Sequence, residues 1–317
     1  MSLDPGRKET DKRLAEIERH LHEIYTQAYT ELKQKTDDYF DRFREKDKKQ
    51  RALVQSGKLS QKEYQKWRKG QMFVGEHWKR MQEQAATDLY NVNKIANDYI
   101  NDQLPDIYAM NYNFSAQDIE NGVNRKISFE MANAQTVTQT VKDLSLAGDK
   151  MLFKSRKLDP KKDIPWNMRK INNAMLQGIL QGESIPKIAK RFMAVGVDNE
   201  VSAVRAARTM VTAVENKARF ESAKKAEEAG VIMGKVWISV SDARTRPWHA
   251  QAASDYSDPI PMDEPFIVNG EKMEEPGDPS ASGMNTYNCR CSLGRKVLGF
   301  KSILPKNKQG KIKVRFL

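Results

Sequence analysis

The chain's only two cysteines, Cys289 and Cys291, stand with one residue between them, and His249 is the only histidine after position 77. On a strand, residues i and i+2 point to one face, so both sulfurs can approach one ion together with a distant imidazole. A tetrahedral zinc ion takes four ligands, and Asp242 is the best candidate for the fourth because the turn Asp242-Ala-Arg-Thr-Arg246 closely precedes His249. A second reading of the same residues stays open. In it the cysteines pack as small buried hydrophobes, Asp242 pairs with Arg244 or Arg246 to lock the fold, and His249 satisfies a backbone carbonyl. A disulfide between such close neighbours would be strained, and free thiols fit synthesis in a reducing cytoplasm.

Catalysis would use His249 as general base, with arginines holding a phosphate or other anion. The sequence has no His-Glu-x-x-His pair, no phosphate loop, no nucleophile elbow and no paired carboxylates beside His249. No catalytic residue is therefore assigned. After the cysteines come Arg295, Lys296, Lys301, Lys306, Lys308, Lys311, Lys313 and Arg315, with no acidic residue from Ser292 to Leu317. That basic tail suits packaged DNA or an acidic protein surface, and equally a solvated terminus. The alternation Ile312, Val314, Phe316 argues that part of it docks on something.

These groups must be positioned by a strand and its flanking helices. Residues 231–240 are β-branched and aromatic enough for a strand, with the Asp242 turn at its exit. Phe266 to Val268 followed by Asn269-Gly270 predicts a strand and tight turn, Pro276-Gly-Asp-Pro279 a further turn, and Tyr287 to Leu293 a final strand. Upstream, Asn167 to Gln181 closed by Gly182, Ser184 to Phe192 ended by Gly196, and Glu200 to Ala229 ended by Gly230 read as three helices.

The N-terminal half reads as helical. Leu14, Ile17, Leu21, Ile24, Ala28 and Leu32 form one stripe, Gly57 breaks it, and Ser60 with Glu63 forms a capping box for a second helix that Pro105 should end. Ser115 reads as the cap of a further helix, and Lys154 to Lys162 as a basic linker placing a boundary near Pro165. Trp67, Phe73 and Trp78 among lysines and arginines resemble a base-stacking platform, but their helical spacing favours core packing.

A polar composition, with 39% hydrophobic and 30% charged residues and a mean hydropathy of -0.74, favours much exposed helix and an elongated chain. A net charge of +12 favours an anionic partner such as nucleic acid. No apolar run is long enough for a membrane span, and the first residues lack the apolar core of a signal peptide. The expected fold class is α+β. A mainly helical arm occupies 1–164, a small module of helices then short antiparallel strands 165–294, and a basic tail 295–317.

Several separated pieces occur in order: Gly182 with Ile185 and Ile188-Ala189, Ala206-Ala-Arg-Thr209, Glu228-Ala-Gly230, Trp237, Asp242 with Arg244, Arg246 and His249, Pro276 to Pro279, and Asn288-Cys-Arg-Cys291. Over roughly Ile164 to Leu293 the chain resembles the head morphogenesis family of tailed bacteriophages that includes the F minor head protein of phage Mu. It departs from the family at Met210, where members often carry an acidic residue. The resemblance implies a structural, non-enzymatic virion protein made in the host cytoplasm and placed inside the head. Its implied partners are the portal protein or inner capsid surface and double-stranded DNA, with no membrane and no small-molecule substrate. The alternative is a nucleic-acid-binding or nucleic-acid-modifying, toxin-like effector carried in the head.

Overall fold

The computed structural model describes residues 5–73, 76–123, 127, 129, 131–133, 137, 158–181 and 183–301. The elements run α1 Pro5–Gln55, α2 Gln61–Phe73, α3 Glu76–Val123, α4 Pro160–Leu180, α5 Ile185–Glu228, β1 Val231–Ile238, α6 Pro247–Asp255, β2 Ile260–Pro261, β3 Phe266–Val268, β4 Glu271–Met273, α7 Gly283–Thr286 and β5 Ser292–Phe300. The class is α+β, helix first and short antiparallel strands last.

The local stop and start signals act as their chemistry dictates. Gly57, at φ +72°, turns the chain out of α1 while the Lys58 amide reaches back to the Leu53 carbonyl at 2.9 Å. Ser60 and Glu63 then cap α2 reciprocally: the Glu63 amide donates to Ser60 Oγ, and the Ser60 amide donates to the Glu63 carboxylate at 3.0 Å. Gly230, at φ +92°, ends α5.

Elsewhere the helices overrun the expected stops. Pro105 lies inside α3, which continues through Ser115 to Val123. A proline removes one backbone bond and bends a helix, but Leu104 and Ile107 are each 1% exposed, and their burial holds the helix together across it. Ser115 is consequently no cap; it is buried and hydrogen-bonded to Ser222. Gly196 likewise sits within α5. The expected basic linker is in part a helix start. Asp159 caps α4 by accepting from the Lys161 amide at 3.0 Å, Pro160 takes the first turn, and Pro165 falls inside the helix.

Packing sorts the chain into two compact units, each discontinuous in sequence. One comprises residues 16–100 and 155–205. Its core holds Phe40, Phe43, Ala86 and Leu89 with Ile171, Met175, Ile188 and Phe192. Trp67 stacks near Phe43 and joins this core, so it is a packing residue; the side chains of Phe73 and Trp78 lie outside the described residues.

The other unit comprises residues 1–15, 101–154 and 206–317. Here β1 is the central strand of a three-stranded antiparallel sheet ordered β2, β1, β5, with Trp237 opposite Leu293 and Lys235 opposite Arg295. β3 and β4 form a hairpin closed by Asn269 and Gly270, both left-handed, as the Asn-Gly pair predicts. Trp237, Phe266, Met273 and Leu293 pack with Phe220, Ala223 and Ala226 of α5 as one core.

Among the described residues, no helix is long and apolar enough to cross a membrane.

Candidate metal and fold-locking site

Three elements meet at the motif residues. Trp237 comes from the end of β1, His249 from the first turn of α6, and Cys289 and Cys291 from the turn that enters β5. The final strand begins at Ser292, later than the pattern suggested. α7 and the left-handed Asn288, at φ +52°, hold the preceding residues in a turn. The two cysteines converge all the same. Cys291 Sγ lies 3.4 Å and Cys289 Sγ 3.7 Å from His249 Nδ1, and the Cys291 amide points to Cys289 Sγ at 3.5 Å.

All three side chains are buried, at 1% exposure for His249 and Cys289 and 3% for Cys291. His249 is walled by the edge of Trp237, 5.5 Å between ring centres. Nδ1 is the nitrogen turned to the sulfurs, and Nε2 is buried with no hydrogen-bond partner among the described residues. The Cys291 thiol and the nearby imidazole hold Cys289 well below the ordinary thiol range, while the Cys289 sulfur and burial push Cys291 up.

His249, Cys289 and Cys291 offer ligand atoms within 4.8 Å of one another, and among the described residues no further histidine, cysteine or carboxylate joins them. A tetrahedral zinc with ordinary Zn–S and Zn–N lengths separates sulfur and nitrogen ligands by about 3.5 Å, which is the spacing these side chains already have. The donor set fits a soft, thiolate-preferring ion.

Asp242, expected as the fourth ligand, stands outside this cluster. Its carboxylate is gripped at both oxygens by Arg290, each contact 2.6 Å, and also accepts the Arg244 amide at 3.0 Å and the Thr245 hydroxyl at 3.2 Å. The Arg290 hydrogen bonds hold it far below the usual carboxylate range. The Arg244 side chain stands 3.7 Å from Asp242, and Arg246 donates to the Tyr287 carbonyl. The turn is thus tied chiefly through Arg290, which sequence reasoning passed over although it sits between the two cysteines.

Two further residues were missed. Asn216 on α5 is fully buried; its amide donates to the Thr212, Pro276 and Cys291 carbonyls at 2.9–3.0 Å, and its oxygen accepts the Leu293 amide at 2.8 Å. Thr212 donates to the Cys289 carbonyl at 2.8 Å. Their one signal was position: Asn216 and Thr212 are polar residues on the packing face of an amphipathic helix. Of the basic tail, Arg295 and Lys296 belong to β5. Arg295 is 3.3 Å from Asp118, and Lys301 bonds Gly230 and Glu227 carbonyls. Lys306, Lys308, Lys311, Lys313 and Arg315 lie outside the described residues.

Residues 169–294 match the family described as Phage Mu protein F like protein. This segment is similar to that family. Several of the motif residues meet here, with neighbours outside the motifs such as Trp248 and Asn285. Thr209 accepts the Asn288 amide, Trp248 donates to buried Asn285, and Asp278 caps its own turn by accepting the Glu274 and Ser280 amides. Met210, at the departure from the family pattern, is buried at 3% exposure.

The chain is also 25% identical over 141 residues to the NAD(+)--arginine ADP-ribosyltransferase EFV of Enterococcus faecalis, covering 44% of this chain and 28% of that protein. It therefore spans little more than a quarter of that relative. No solved structure is significantly similar to the chain.

Proposed function

We propose that this chain is a minor head protein of a tailed bacteriophage, a structural component of the virion that acts in head assembly at or near the portal. The match of residues 169–294 to the Mu F-like family carries the reading. The character of the motif residues supports it: Thr209, Asp242, Arg246, Asp278 and Arg290 are engaged in contacts within the protein that fix turns and strand entry. In this reading the partners are the portal protein or the inner capsid surface, with the terminal lysines against double-stranded DNA. The deciding experiment is purification of DNA-free procapsids: the protein is expected to travel with the portal, and its absence there overturns the assembly role.

In the same reading His249 Nδ1, Cys289 and Cys291 hold a zinc ion that ties α6 to the β5 entry, with the fourth position filled from outside this trio. Elemental analysis of the purified protein is expected to give about one zinc per chain, and less than roughly a tenth of that removes the proposal.

A second reading, a toxin-like effector, is favoured by the likeness to the ADP-ribosyltransferase. It requires transfer from NAD to an arginine-containing acceptor. No transfer is expected of this chain, and transfer abolished by a point substitution would replace the structural reading.

A further inference from the structure

We propose that the surface formed by residues 241–246 and 283–290 binds single-stranded nucleic acid, with Tyr287 as platform for one base and Arg244 for a flanking phosphate, Arg246 and Arg290 holding the two loops beneath them. It rests on the function proposed above only for the class of partner, and moves the contact from the tail to a folded surface.

The aromatic is built to face solvent. Tyr287 is 58% exposed, yet its ring lies on the backbone of α7: a Cβ at Gly283 would stand 2.6 Å from Tyr287 Cε2. A side chain at position 283 would push the ring aside, so Gly283 lets one face of the ring rest on the helix while the other stays open. The loop beneath is anchored, the Asn288 amide to Thr209 Oγ1 at 3.1 Å and the Tyr287 carbonyl to Arg246. A held ring loses little freedom on stacking, and every nucleobase has a face to stack.

Three arginines lie in these two segments. Arg246 grips the Tyr287 carbonyl, while Arg290 and Arg244 converge on the carboxylate of Asp242, which is the only acidic residue in the two segments. The surplus is positive. The single carboxylate orients two of the three forks, and Arg244 keeps its side chain 77% exposed. Arginine's planar fork pairs with phosphate in two bonds and is charged at every relevant pH.

Two features favour a single strand. A duplex offers its bases stacked and paired, so an exposed ring has nothing to stack on. A free nucleotide needs a cleft that buries most of it, whereas Tyr287, Arg244 and the 61% exposed Met284 lie open.

The test is fluorescence anisotropy of the full chain with a labelled oligothymidylate of about 12 nucleotides. Tyr287→Ala is expected to weaken binding about tenfold and Tyr287→Phe to retain it. Arg244→Ala is expected to weaken binding and flatten the salt dependence by about 0.7 in the log–log slope. Unchanged affinity in Tyr287→Ala overturns the proposal, as does equal binding of a duplex of the same length or equal competition by ADP. Loss of all binding on changing Lys306, Lys308, Lys311, Lys313 and Arg315 to Gln, with Tyr287→Ala unaffected, also overturns it and leaves the tail as the contact. Tyr287→Ala is expected to enter procapsids normally, so a failed anisotropy result overturns this surface without touching the assembly role.

Discussion

Asn216 shows how much of this module hangs on single buried polar groups. Its one amide joins α5 to the Pro276 turn and to both sides of the β5 entry, and it is fully buried. Removing the amide leaves several buried backbone groups without partners, each of which costs more than a made bond gains. Asn216→Ala is expected to lower stability by about 3 kcal/mol, read as a lower urea midpoint. At the thiols the expectation is different in kind. Cys291→Ser keeps the shape but weakens the soft donor pair, so it should lower zinc content far more than it lowers the helical signal in circular dichroism.

The turn at Pro276 to Pro279 illustrates why some elements were legible and others were not. Its residues announce a turn because proline and glycine restrict or free the backbone locally. Gly277 sits at φ +82° with a hypothetical Cβ 3.3 Å from the Ala213 backbone. Gly277→Ala should therefore cost about 1–2 kcal/mol, seen as a lower melting temperature, through left-handed strain with no room to relax. The Ser60 box and the Asn269-Gly270 hairpin were legible for the same local reason. Pro105 and Gly196 misled: proline costs a helix interior about 3 kcal/mol and glycine about 1, but burial of residues along the rest of α3 and α5 outweighs that local cost.

In the unit made of residues 1–15, 101–154 and 206–317, a buried ionic group makes stability depend on pH. Glu275 is 1% exposed, and burial raises its carboxyl to about 8 against the opposing pull of Lys217, 3.9 Å away. Lys235, also 1% exposed, donates to the Glu274 carbonyl and lies over the Phe220 and Phe266 rings; burial lowers it to about 8. Burial also acts to lower Lys217, but Glu275, Glu221 and Glu274 prevail and raise it to about 12.

The folded state keeps the Glu275 proton after the unfolded chain has released its own near 4.5, so stability falls from there to about pH 8. Above 8 the unfolded chain holds the Lys235 proton up to 10.5 while the folded state does not, so stability rises again. These groups together predict a minimum near pH 8 in urea midpoints measured at pH 5, 8 and 10, and Glu275→Gln should remove the falling limb. A monotonic profile would count against this assignment.

The sequence alone determined what depends on neighbours along the chain: helix periodicity, caps, Asn-Gly and Pro-Gly turns, and an ordered set of motifs specific enough to point to the Mu F-like family. It also placed His249, Cys289 and Cys291 together, because so few residues of those types exist. Only the tertiary structure decided that Asp242 belongs to Arg290 and not to the cysteines, that Asn216 and Thr212 brace the β5 entry, and which segments share a core. Those outcomes depend on which side chains meet across dozens of residues, where charge pairing, burial and hydrogen-bond completion compete and sequence spacing carries no distance.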